Sequence, residues 1–157
     1  MSKRTRSNKG FTLVEILIVV VILGILAAIV IPQFTSASET AKASSLVSQL
    51  QTIRSQLELY QVQHNGDYPT LAQLWTNMTE ATDVDGSTSG TDDYGPYLQQ
   101  APTNPFEDSN TVAAAAADGV GWVYTAATGQ IKACMEATKA SELGMDTTND
   151  VATYTSS

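Results

Sequence analysis

Gly10-Phe11-Thr12-Leu13-Val14-Glu15 opens an apolar run that continues from Ile16 to Ile31 without a charged side chain and ends at Pro32. The 21 residues from Phe11 to Ile31, wound as an α-helix, span roughly 31 Å, the thickness of a bilayer's hydrocarbon layer. A chain carrying such a segment must give it lipid or the equivalent segments of other chains for company. Glu15 is the only formal charge in the block, and a carboxylate at membrane depth is costly unless it has a partner. What it pairs with becomes the central question.

Charge separates the chain into two parts. Lys3, Arg4, Arg6 and Lys9 are half of the eight basic residues and all precede Phe11. Beyond residue 10, four basic residues face sixteen acidic ones, a balance of −12 within a total of −8. So acidic a body repels phosphate backbones, which excludes nucleic acid as a direct partner. The basic start instead holds its end in the cytoplasm and places the acidic body across the membrane. The 157 residues, less the apolar segment, are enough for one small water-soluble domain. A single cysteine, Cys134, allows no intrachain disulfide; without ligating neighbours it reads as a half-buried strand residue.

A secretory signal is ordinarily cut after its apolar stretch, but here the Gly-to-apolar junction lies before it, at Gly10-Phe11. Cleavage there removes the positive charges and leaves the apolar helix on the chain with a free amine on Phe11. That amine and the Glu15 carboxylate are complementary charges in a medium where neither is cheaply left alone. Helix geometry hinders pairing within one chain, whereas pairing with the next copy in a staggered stack is open. The plainer alternative is a single-pass anchor whose glutamate lies at headgroup depth.

These residues, followed by the apolar helix and Pro32, resemble the class III signal of type IV pilins and type II secretion pseudopilins. The resemblance implies cleavage after Gly10 by the prepilin peptidase, N-methylation of Phe11, and neutralisation of a neighbour's Phe11 amine by Glu15. It also implies that Gly24 to Pro32 loosens on assembly. That fits the lost N–H of Pro32 and the weak helix propensity of Gly24, about 1 kcal/mol below alanine.

Helical spacing continues past Pro32, with Leu46, Leu50, Ile53, Leu57 and Tyr60 forming one apolar stripe. One helix is expected from Phe11 to about Gln63, stopped by Asn65-Gly66-Asp67-Tyr68-Pro69 with Gly66 as a left-handed cap. His64, the only histidine, is expected to meet the terminal carbonyls rather than a metal. Thr70 is expected to cap a short helix over residues 71–78. Residues 80–110 read as loop, with a mobile acidic tip at 83–93 and Tyr94, Tyr97 and Phe106 pinning the second half. Val112 to Asp118 shows no clear period. Residues 120–125 and 130–135 read as a hairpin, with Ile131, Ala133 and Met135 on one apolar face; residues 151–155 read as a third strand.

The expected fold is α+β: a long N-terminal transmembrane and spine helix followed by a small C-terminal antiparallel sheet, the pilin fold. The expected parts are a cleaved leader (1–10), an assembly helix (11–34), its amphipathic continuation (35–64) and a periplasmic body (65–157). Gly121-Trp122-Val123-Tyr124, Thr128-Gly129-Gln130-Ile131 and Asn65-Gly66-Asp67-Tyr68-Pro69-Thr70 are similar to the pseudopilin branch, and the absent C-terminal cysteine pair points the same way.

Nothing in the sequence assembles a catalytic constellation, so a structural protein rather than an enzyme is expected. Asp83, Asp85, Asp92 and Asp93 are hard oxygen donors of the kind Ca²⁺ takes, but their spacing does not match the helix-loop-helix calcium pattern. The resemblance implies that Ca²⁺ in a loop of the C-terminal region can replace a missing disulfide. It further implies a homopolymer served by an inner-membrane assembly platform, an ATPase and minor pseudopilins, inserted first in inner-membrane lipid and then extended as a periplasmic or surface filament. The expected function is that of a type II secretion pseudopilus subunit. The alternatives are a type IV pilus subunit for adhesion or motility and a membrane-anchored binding protein that never polymerises.

Overall fold

The computed structural model describes residues 10–88, 90 and 93–156. Asp92 and the basic residues of the leader lie outside them. Helix α1 (Leu13–Gln63) passes through both Gly24 and Pro32. A 3₁₀ turn (Leu71–Gln73) leads into α2 (Leu74–Thr79), then come β1 (Val112–Ala113), β2 (Trp122–Thr125), β3 (Gln130–Glu136), α3 (Ala137–Glu142) and β4 (Val151–Tyr154). The chain divides into two units at the Ser38–Glu39 bond.

In the N-terminal unit the large apolar side chains from Phe11 to Phe34 are all exposed. With no element of its own to pack on, this helix presents apolar surface all round, as a membrane or bundle helix does. Thr35 Oγ1 donates to the Ile31 carbonyl and Ser36 Oγ to the Gln33 carbonyl just beyond the proline.

The second unit holds the core. The expected stripe of Leu46, Leu50, Ile53, Leu57 and Tyr60 is buried, and it joins Leu74, Met78, Trp122, Tyr124, Ile131, Ala133, Met135 and Val151 in one cluster. Asn65 takes the left-handed position directly after the last helical turn, with φ of 58°, and Gly66 follows it with φ of 94°. The Gly66 N–H then closes on the Gln61 carbonyl at 2.8 Å, the six-to-one bond of a helix C-terminal cap. Thr70 makes no backbone cap; its hydroxyl donates to Gln73 Oε1 instead.

The α+β class holds, but the sheet is mixed rather than antiparallel. Its order is β1-β2-β3-β4. The expected hairpin is present, pairing Trp122 with Ala133 and Thr125 with Gln130 in antiparallel register. Both outer strands are parallel to their neighbours: β1 to β2, and β4 to β3, with Ala133 opposite Val151. The second pairing follows from α3, which turns the chain back after β3 so that β4 runs in the same direction, as a helical crossover does. The helical residues 137–142 were not anticipated, since a single turn carries too few residues to show a period.

Candidate functional site

The N-terminal segment is a preformed helix start. Thr12 is the N-cap and Glu15 the third helical residue, so Thr12-Leu13-Val14-Glu15 forms a capping box. The Thr12 N–H and hydroxyl both donate to Glu15 Oε2 at 2.8 Å, and the Glu15 N–H donates to Thr12 Oγ1 at 3.2 Å. Glu15 therefore has an intrachain role that was not foreseen, although the Ser/Thr-x-x-Glu spacing announces it. The box occupies one carboxylate oxygen; Oε1 has no partner among the described residues and remains free to accept. Phe11 is exposed next to it, with Gly10 immediately before. One helix beginning here is long and apolar enough to cross a membrane.

In the body, polar side chains do the work that a disulfide would do. Asn104 is fully buried, and its Nδ2 donates to the Gly121 and Cys134 carbonyls at 2.8 and 2.7 Å. Its Oδ1 accepts the Phe106 N–H, so one amide ties the proline-rich loop across β2 and β3. The Trp75 and Trp122 indoles donate to the Asn110 and Pro102 carbonyls. Arg54 holds the β3–β4 connection to α1, reaching the Asp150 carboxylate at 2.9 Å and the Ile131 and Asn149 carbonyls at 3.0 and 2.6 Å. Sequence reasoning missed Asn104 and Arg54 because the carbonyls and the carboxylate to which they donate are 17 to 96 positions away.

The two side chains most open to chemical suspicion are engaged structurally. His64 is buried and stacked on Tyr60 at 3.6 Å, with Nδ1 against the Tyr60 carbonyl and Nε2 against Thr82 Oγ1. Cys134 is fully rather than half buried, because the 104–121 loop covers the sheet's second face. Burial pushes its thiol pKa up, which suppresses the reactive thiolate.

The Asp83 carboxylate accepts from Ser87 Oγ and crowds the space beside Gly90, and Asp85 Oδ1 accepts the Ser87 N–H while its residue lines a cavity under Tyr60. Among the described residues, no three His, Cys, Asp or Glu side chains gather as a metal would require.

A capped, membrane-length helix whose second half is buried against a small sheet defines a pilin-like subunit. Residues 5–31 match the family model described as "Prokaryotic N-terminal methylation motif", and residues 33–139 match that of "Type II secretion system (T2SS), protein G". The chain belongs to the type II secretion system protein G family. It is 31% identical over 104 residues to the type II secretion system core protein G of Escherichia coli K12, covering 66% of this chain and 70% of the relative. The Aeromonas hydrophila core protein G is 36% identical over 107 residues, 68% of this chain and 71% of that one. The Dickeya chrysanthemi protein is 43% identical over a shorter 68 residues, 43% and 44% of the two chains. No solved structure matches the chain. The function that follows from this membership is that of a type II secretion pseudopilus subunit.

Proposed function

We propose that the chain is cut between Gly10 and Phe11 by a prepilin peptidase, methylated on the Phe11 nitrogen, and polymerised through its N-terminal helix. The role is structural, without catalysis. Before cleavage the helix sits in the inner membrane with the leader in the cytoplasm and the body in the periplasm. The platform, ATPase and minor pseudopilins of the secretion system then draw it into a periplasmic filament.

The observation that carries this reading is the split use of Glu15: Oε2 serves its own helix through Thr12, and Oε1 is left to accept the Phe11 amine of an adjoining copy. Burial of the exposed 11–34 surface against copies of itself supplies the driving force, about 25 cal/mol for each Å² of apolar surface removed from water. The helix is continuous through Gly24 and Pro32; the filament loosens that stretch, and a fibre with residues 24–32 fully helical contradicts that part of the proposal.

Two measurements test the whole. The intact mass of the purified protein is expected to correspond to a chain beginning at methylated Phe11. Glu15→Ala is expected to abolish fibres while leaving the protein inserted in the membrane. A mature chain that keeps residues 1–10, or normal fibres from the variant, overturns the assembly mechanism.

A further inference from the structure

Of the six asparagines in the chain, Asn65 alone is followed by glycine. An asparagine loses its side-chain amide when the backbone nitrogen of the next residue attacks Cγ, and glycine, with no Cβ to crowd that approach, is the most permissive neighbour. The dipeptide alone settles nothing. Its setting at the end of α1 does more.

Asn65 and Gly66 are both exposed, and beyond its chain neighbours Gly66 has no atom within 4 Å of where a Cβ would stand. Water therefore reaches the peptide. The attacking nitrogen, however, is engaged: the Gly66 N–H donates to the Gln61 carbonyl at 2.8 Å. Gln61 Nε2 in turn donates to the Gly66 carbonyl at 3.2 Å, so one residue grips both backbone groups of Gly66. The next links are held as well, with the Asp67 N–H on the His64 carbonyl at 3.0 Å and the Pro69 carbonyl accepting the buried Tyr124 hydroxyl. Ring closure requires the Gly66 nitrogen within about 3–3.5 Å of Asn65 Cγ. Asn65 is left-handed, with φ of 58°, and in that region the following nitrogen stands on the far side of the Cα–C bond from Cβ. To reach Cγ the peptide must rotate, and the bond to Gln61 breaks first.

We propose that Asn65-Gly66 is a latent deamidation site, shut by the cap on the last turn of α1 and opened when that turn frays, with water as the second reactant. On opening, the Gly66 nitrogen gives its proton to solvent base and attacks Asn65 Cγ. The N–Cγ bond forms, the Cγ–Nδ2 bond breaks, and the amide group leaves as ammonia after taking a proton back. Water then adds to either carbonyl of the resulting succinimide and cleaves its bond to nitrogen, giving aspartate or isoaspartate. Helix ends lie at the low end of local stability, so the shut site converts slowly rather than never. Both products place a carboxylate at the C-terminal end of α1, where the helix dipole disfavours negative charge. Isoaspartate also adds a methylene to the backbone linking α1 to the 3₁₀ turn. The change is one-way and accumulates with the time a subunit spends frayed.

The test follows the full chain in detergent micelles at mildly alkaline pH by peptide mapping, which separates asparagine, aspartate and isoaspartate at position 65. Native protein is expected to convert at least about tenfold more slowly than protein in guanidinium, as a locally protected site does. In the denatured chain Asn65 is expected to convert ahead of the other asparagines. Gln61→Ala removes the side-chain half of the grip and keeps the backbone cap. It is expected to speed native conversion about two- to fivefold, the effect of one hydrogen bond, and to leave the denatured rate unchanged; an unchanged circular dichroism spectrum verifies its fold. Asn65→Asp, which installs one product directly, is expected to lower the Tm by about 1–5 °C. Equal rates in native and denatured wild type overturn the shut state, and no conversion in guanidinium overturns the site itself. A native rate unaffected by Gln61→Ala overturns the role given to that side chain, and a wild-type Tm in Asn65→Asp overturns the cost given to the product.

Discussion

The two units of this molecule solve the burial of apolar surface in opposite ways. Up to Ser38, apolar side chains are displayed on a helix that has nothing of its own to cover them. From Glu39 onward, one face of the same helix is sealed under a sheet whose central residues have no exposure at all. The body therefore carries its stability within itself, whereas the first segment acquires its stability from lipid or from other copies. A substitution should be felt as folding energy in one unit and as assembly in the other.

The largest expected effect comes from Trp122→Ala. It opens the fully buried centre of the body and removes a hydrogen bond to Pro102, at a cost of about 3–5 kcal/mol. Val20→Ala on the exposed helix should leave the Tm of the body unchanged; denaturant melts of the two variants measure the contrast, and equal destabilisation refutes it. Next comes Asn104→Ala, which takes one of two donors from the Gly121 carbonyl and the amide donor from the Cys134 carbonyl, and should cost about 1–3 kcal/mol. Hydrogen exchange at residues 104–121 is expected to rise first. Arg54→Ala should cost less, toward the lower end of that range, because the side chain is 31% exposed; limited proteolysis should then cut within residues 146–150.

The smallest effect is alkaline and confined to the body. Burial raises Tyr97 from 10.0 to about 12, and burial likewise raises Tyr124. A raised folded-state pKa means that the native state holds the proton more tightly. The associated stability is complete below pH 10 and is lost as pH climbs from there through about 12. Tyr97→Phe should flatten part of that decline in a series of melts across this range. A decline just as steep in the variant would remove Tyr97 from the account.

Much of this architecture was legible in the residues before any coordinates. The motif at Gly10 to Glu15, the unbroken apolar run and the stripe from Leu46 to Tyr60 are local patterns, repeated on the period of a helix, and the structure follows them. The hairpin is equally local, two alternating strands around a short turn. Even the capping box was present in Thr12-Leu13-Val14-Glu15 for a reader who counted three residues on. The acidic tip suggests a calcium site by composition, and within the 83–87 turn the Asp83 and Asp85 carboxylates both accept from Ser87.

What no local pattern contained was the direction of β4, the reach of Arg54 and the bracing by Asn104. Each depends on segments brought together by the closing of the core, and a period of two or 3.6 residues carries no information about which distant carbonyl a side chain will meet. Periodicity determines which face of an element is apolar. Only packing in three dimensions decides what that face, and the polar groups trapped beside it, are packed against.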